Sequence, residues 1–130
     1  MSENHASRDA LPPERLGDYE GRMAEFDAYT ANFESIPAGM GGPDFFKGLP
    51  DDACQSEHWG YLFEGKFSVV YTDGHEEIVN GGEAYYMRPG HVFKALEDCK
   101  TIEFSPTDDL QRTLEQVGKN LEVTQMGGQR

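Results

Sequence analysis

Four histidines and two cysteines are the residues of this 130-residue chain best suited to hold a metal or begin a reaction. His5 lies in a polar N-terminal stretch and His75 beside an Asp73-Gly74 turn, where both are read as solvated. His58 and His91 remain, with Cys54 four residues before His58, close enough in sequence to reach the same place from a loop. Two imidazoles and a thiolate would suit a borderline divalent cation: Zn first, with Fe, Ni, Mn or Cu also compatible. Each residue also has a plainer reading. His58 can be a hydrogen-bonded interior histidine, His91 can finish the Arg88-Pro89-Gly90 turn, and Cys54 can be a packed thiol. Cys54 and Cys99 form no C-x-x-C pair, which excludes a zinc ribbon, and they are expected to be reduced. There is no G-x-S-x-G elbow, no P-loop and no G-x-G-x-x-G, so a nucleophile triad and a glycine phosphate cradle have no support.

The elements that must position these residues are short strands. His58–Phe63, Phe67–Tyr71, His75–Val79, Glu83–Met87, His91–Leu96 and Lys100–Phe104 are separated by Gly, Asp-Gly, Asn-Gly-Gly and Pro-Gly turns, the pattern of an all-β sandwich or barrel. One or two earlier strands are expected after Arg22, where Phe26, Tyr29, Phe33 and Ile36 recur. Pro37 to Pro50 reads as a loop anchored by Phe45, Phe46 and Leu49. The period then changes. Leu110, Leu114, Val117 and Leu121 form one stripe of a C-terminal helix over about 106–120, with Ser105 as its cap and Pro106 at its first position. This stripe is read as structural and is assigned no chemistry.

Composition narrows the partners. The net charge is -13, from 24 acidic and 11 basic residues. That balance opposes nucleic acid and anionic membranes, where Lys and Arg must supply the attraction. No run approaches the ~20 apolar residues of a membrane helix, and Met1–Leu16 has no apolar stretch, so the chain reads as cytoplasmic. Residues 1–20 are expected to be a flexible, disordered tail, leaving one domain over 21–124. The acid excess belongs to that domain. Nineteen acids and nine bases follow residue 20, for a charge of -10.

The stretch from Glu57 to Pro106 resembles the cupin superfamily, small jelly-roll β-barrels, and in particular its stand-alone, single-domain members. Gly65 takes the closing position of the first cupin motif, Gly82 and Gly90 the glycine positions of the second, and Arg88 its proline position. Counting back from Gly65 puts His58 where cupins carry the motif glutamate, Cys54 at the second histidine and Asp52 at the first, while Phe93 stands at the histidine of the second motif. The resemblance implies an all-β, cupin-type jelly-roll β-barrel with a C-terminal α-helix. By the same analogy His58 lines the barrel and His91, on the face of Phe93, joins it nearer the mouth. Glu103 would supply a fourth ligand, orient a histidine or move protons, and Tyr86 is a second proton carrier.

The resemblance also implies an aromatic pocket for a small organic molecule. Phe67, Tyr71 and Phe93 would line it, and Arg88 would hold a carboxylate if it faces inward. Tyr86 and Arg88 alternate with Tyr85 and Met87, so one pair faces in and the other out. Trp59 should face away from His58, toward the second sheet, the helix or a second subunit. A homodimer is expected by the same analogy. Two functional readings follow. One is a metal-dependent cupin enzyme, of dioxygenase, isomerase, lyase or decarboxylase type, with the metal on His58, His91 and Cys54. The other is a metal-free cupin that binds a small metabolite as a sensor or carrier.

Overall fold

The computed structural model describes residues 4–128. Within them, strands β1 (Glu14–Leu16), β2 (Tyr19–Phe26) and β3 (Tyr29–Ile36) precede a long connection. Strands β4 (His58–Glu64), β5 (Lys66–Tyr71), β6 (Glu76–Asn80), β7 (Glu83–Met87), β8 (His91–Ala95) and β9 (Cys99–Pro106) follow, and then helix α1 (Thr107–Gly128). All pairings are antiparallel. One sheet has the order β1-β2-β3-β9-β4-β7 and the other β6-β5-β8. The two face each other as a jelly-roll barrel, the architecture expected from short, Gly-punctuated strands.

Alternation sets which side chains enter the barrel. On β5, Phe67, Val69 and Tyr71 are buried while Val70 is exposed. They join Ile36, Leu62, Val79, Met87, Ala95 and Cys99 in the core between the sheets. The Glu64-Gly65-Lys66 turn depends on its glycine. Gly65 has φ +105°, and a Cβ there would stand 2.9 Å from Cys99 Cα.

A second core lies under the helix, where Phe46, Cys54 and Val117 are buried with Phe45, Leu49, Phe93 and Leu121 packed around them. Its floor is the connection between β3 and β4, which runs along the edge of β8. Gly41 bridges to Lys94 and Cys54 bridges to His91. The expected anchors Phe45, Phe46 and Leu49 do pin this loop, and what they pin it to is α1. Asn120 closes the contact by donating to the carbonyls of Phe45 and Lys47, at 3.1 and 2.8 Å.

Three sequence expectations are corrected. The tail expected over residues 1–20 contains β1 and the start of β2, held by backbone pairing of Glu14–Leu16 with Tyr19–Gly21 and by Arg15 and Arg22 on Glu20 at 2.9 and 3.0 Å. Low apolar content undervalues a strand whose hydrogen bonds come from its neighbour. Residues 1–3 of that tail lie outside the described residues. The helix begins at Thr107, with Pro106 ending β9, and continues to Gly128 rather than 120. Ser105 does not cap it: its side chain is buried and turned to His58, while Thr107 N–H donates to Ala28 O and Thr107 Oγ1 meets Thr30 Oγ1 at 2.8 Å.

Candidate metal centre

Three strands of sequence logic converge on one point. His58 opens β4 with its side chain inward. His91 opens β8 after the Arg88-Pro89-Gly90 turn. Cys54 is held beside His91 by backbone hydrogen bonds, Cys54 N–H to His91 O and Gly90 N–H to Cys54 O, both at 2.8 Å. Cys54, His58 and His91 are all buried, and one ligand atom from each lies within 4.8 Å of the others.

The hydrogen bonds behind the rings set which nitrogens face the centre. His91 Nδ1 lies 2.7 Å from Arg88 O, which can only accept, so Nδ1 carries the proton and Nε2 keeps its lone pair. His58 Nδ1 lies 2.6 Å from Ser105 Oγ and 3.5 Å from the Glu103 carboxylate, leaving Nε2 toward Cys54 Sγ at 3.4 Å. Two ligands of a tetrahedral zinc, one sulfur and one nitrogen, stand about 3.5 Å apart. The donor set therefore fits a borderline divalent cation in type and in spacing. Thr113, from α1, brings Oγ1 to 3.5 Å from the sulfur. Burial holds both imidazoles neutral, at about 4, and for His91 the charge of His58 adds to this. Neutral imidazole is the metal-binding form. Burial also pushes the Cys54 thiol up, so its proton stays until a cation displaces it.

The centre opens on a cavity of about 300 Å³ inside the barrel. Phe67, Phe93, Met40 and Met87 give it apolar walls, and Leu110, Leu114, Val117 and Leu121 of α1 close one side. The leucine stripe is thus part of the cavity wall, which helical periodicity alone does not reveal. Beside it, on the same cavity, lies a second polar group. Glu34 on β3 and Glu103 on β9 receive hydrogen bonds from Tyr19 Oη at 2.7 Å and Tyr85 Oη at 2.8 Å. Tyr85 also meets Thr101 Oγ1 at 2.8 Å, and its ring crosses Gly60, where a side chain would collide with it. Burial, with each carboxylate adding its charge to the surroundings, pushes Glu34, Tyr19 and Tyr85 up; burial alone does so for Glu103.

The expected site residues divide accordingly. His58, His91, Cys54, Glu103, Phe67 and Phe93 all line the cavity. Tyr86 does not: it is exposed on the outer face, donating to Glu57 at 2.6 Å, because the β7 alternation sends Tyr85 and Met87 inward. Arg88 also stays outside, paired with Asp73 at 2.9 Å and stacked 3.9 Å over the Tyr71 ring. Tyr71 is a buried core residue touching the His91 ring rather than the cavity. Trp59 packs on Tyr86 and Tyr29 on the outer face, not on the second sheet or the helix. Asp52 is exposed and accepts the Gly48 N–H. Residues that sequence reasoning missed are Glu34, Tyr19, Tyr85, Ser105 and Thr113. For Tyr85 the signal was there, since alternation with Tyr86 left one of the two inside.

Solved structures share this fold. An RmlC-like cupin from Shewanella frigidimarina superposes with a TM-score of 0.59 at 19% identity, over 81% of this chain and 92% of that one. The fold is that of the cupins. Ectoine synthase from P. lautus matches with a TM-score of 0.60 at 12% identity, covering 80% of this chain and 78% of that one. KdgF from Halomonas sp. matches with a TM-score of 0.55 at 18% identity, covering 77% and 92%. No family model and no curated protein sequence matches the chain. Of the positions that the sequence resemblance sets at cupin motif ligands, Cys54, His58 and Phe93 line the cavity and Asp52 does not. No helix among the described residues is long and apolar enough to cross a membrane.

Proposed function

We propose that this cupin binds a divalent metal through Cys54 Sγ, His58 Nε2 and His91 Nε2, and binds and acts on a small organic molecule in the adjoining cavity. The observation that carries the reading is the convergence of three buried donors of matched chemistry, each histidine backed by a hydrogen bond on its other nitrogen. Zn is the cation this donor set favours, with Fe, Ni, Mn and Cu as the competitors to be measured. Bound there, the cation would supply Lewis-acid polarisation of a carbonyl or activation of water or O₂. The chain's own groups do the rest. Phe67, Phe93 and Met87 exclude water and hold the apolar part of the molecule. Glu103 stands beside His58 on the cavity wall, placed to fix that ring and to pass a proton to or from a ligand. Tyr85, not Tyr86, is the phenol that reaches it.

The test is the metal content of tag-free protein. Wild type should hold about one ion per chain and lose it in His58→Ala and in His91→Ala. Wild type without metal, and without uptake of Zn, Fe, Ni, Mn or Cu, would sink the reading. The same reading takes the chain as a homodimer. Tyr29, Trp59, Tyr61, Phe63, Tyr86 and Phe104 are exposed on the outer face of the larger sheet, more aromatic surface than a lone barrel ordinarily shows. Light scattering during size exclusion checks it, and a monomer mass would remove the dimer from the reading.

A further inference from the structure

The face that α1 turns to the cavity carries Leu110, Thr113, Leu114, Val117 and Leu121. Thr113 interrupts an otherwise aliphatic stripe. It is 5% exposed, less than Leu110 at 8% or Val117 at 6%. A buried hydroxyl costs free energy unless it is hydrogen-bonded, and a valine methyl would fill the same space without that cost. Threonine is also a weaker helix former than the leucines beside it, so neither packing nor propensity accounts for it. Its partner does. Thr113 Oγ1 lies 3.5 Å from Cys54 Sγ, and the same sulfur lies 3.4 Å from His58 Nε2. The backbone of Cys54 is fixed by its hydrogen bonds to Gly90 and His91. The sulfur therefore receives a hydroxyl from an element 59 residues further along the chain.

We propose that Thr113 is a positioning residue for Cys54: its hydroxyl donates to the sulfur once that sulfur is a metal-bound thiolate, and so ties helix α1 to the occupied metal centre. The inference rests on the metal reading above and adds to it the role of the helix. On coordination the Cys54 thiol gives its proton to solvent. The sulfur is then an acceptor alone, and the hydroxyl is the donor. A hydrogen bond to an ionised acceptor is roughly twice as strong as one between neutral groups. The contact thus strengthens on metal loading, and by linkage whatever tightens the metal's hold also tightens the helix on the barrel. Thr107 on Thr30 and Asn120 on the Phe45 and Lys47 carbonyls fasten α1 to either side of this point. Thr113 lies between them, over the sulfur. Leu110, Leu114 and Val117 around it wall the cavity, so the same contact fixes that wall where a molecule would lie beside the metal.

Full-length protein, stripped with a chelator and reloaded with zinc or with cobalt(II) as its coloured substitute, tests the role. Thr113→Val removes the hydroxyl and keeps the shape, whereas Thr113→Ser keeps the hydroxyl. Thr113→Val should bind zinc about tenfold more weakly in competition with a coloured chelator. Its sulfur-to-cobalt charge-transfer band should move to longer wavelength, because the thiolate no longer shares its charge with a donor. Thr113→Ser should restore both the affinity and the band. Amides of α1 around Thr113 should exchange more slowly in zinc-loaded than in metal-free wild type, and Thr113→Val should lose that difference. Loss of affinity without a band shift, or without rescue by serine, would make the contact merely structural and overturn the proposal. Unchanged affinity in Thr113→Val, or equal exchange of α1 with and without zinc in wild type, would overturn it too, and each of these leaves the metal reading standing. Wild type that takes up neither zinc nor cobalt would overturn both.

Discussion

Two adjoining polar groups line the same cavity, and burial acts on them in opposite senses. Around Cys54, His58 and His91 it removes charge. The imidazoles are held neutral and the thiol protonated, so three metal-ligating residue types meet without charge repulsion. Around Glu34 and Glu103 it holds the carboxyl protons more tightly than water does, with the Glu103 charge adding to this at Glu34. The first group is at rest when empty, because every ring nitrogen that faces away from the centre has a partner. In the second, each carboxyl group takes a phenol hydrogen bond, from Tyr19 and from Tyr85. Desolvation alone therefore does not make a site. What distinguishes the two is their chemistry, nitrogen and sulfur donors held neutral in one and carboxyl groups bonded by phenols in the other.

The largest expected effect breaks the first group directly. Cys54→Ser should weaken metal binding by more than about a hundredfold. Ser105→Ala, which removes only the partner behind His58, should cost about ten- to a hundredfold. Competition with a coloured chelator measures both, and equal losses would mean that Ser105 is structural rather than orienting.

Neighbouring tyrosines sharpen the contrast between inside and outside. Tyr85→Phe leaves the buried Glu103 short of a donor and should destabilise the metal-free protein by about 1–3 kcal/mol. Tyr86→Phe loses only an exposed contact with Glu57 and should stay within about 0.5 kcal/mol of wild type. Denaturant midpoints at fixed slope read both, and the reverse ranking would put the wrong tyrosine in the cavity.

Acidity separates the second group from the first. The folded pKa of Glu34 is raised, so between its ordinary value and that raised value the folded chain keeps a proton that the unfolded chain has lost. Its contribution to stability is thus full below the ordinary carboxylate range and falls as pH rises through neutrality. Glu34→Gln cannot titrate. In chelator-treated protein the variant should lose less stability than wild type between about pH 5 and pH 8. Parallel curves for the two proteins would show that Glu34 does not carry a raised pKa.

Much of the fold was readable in advance. From His58 to Phe104 each strand falls within a residue or two of its expected range, because tight Gly-containing turns and two-residue alternation are local properties of the backbone. The meeting of His58, His91 and Cys54 was readable from their motif positions, from strand alternation and from the four-residue spacing of Cys54 and His58. Other features were not. Glu34 sits in an imperfectly alternating stretch with no motif, and its importance comes from Glu103, its diagonal neighbour on β9. Ser105 has the residue type and position of a helix cap, yet strand β9 runs one residue further and turns its hydroxyl to His58. Arg88 and Tyr71 belong together through a stacking contact that removes both from the cavity.

The sequence by itself determined the strand order in time, the turns, the apolar stripe of the helix and the residue types from which a metal site could be built. These depend on φ/ψ preferences and on spacing along the chain, which are local. Only the tertiary structure decided that the helix stripe closes a cavity, that Tyr85 rather than Tyr86 faces it, and that Glu34 and Glu103 share its wall with Tyr19 and Tyr85. Those facts depend on which strands become neighbours across the sheets. That pairing is set by burial of the whole core, and no single segment carries it.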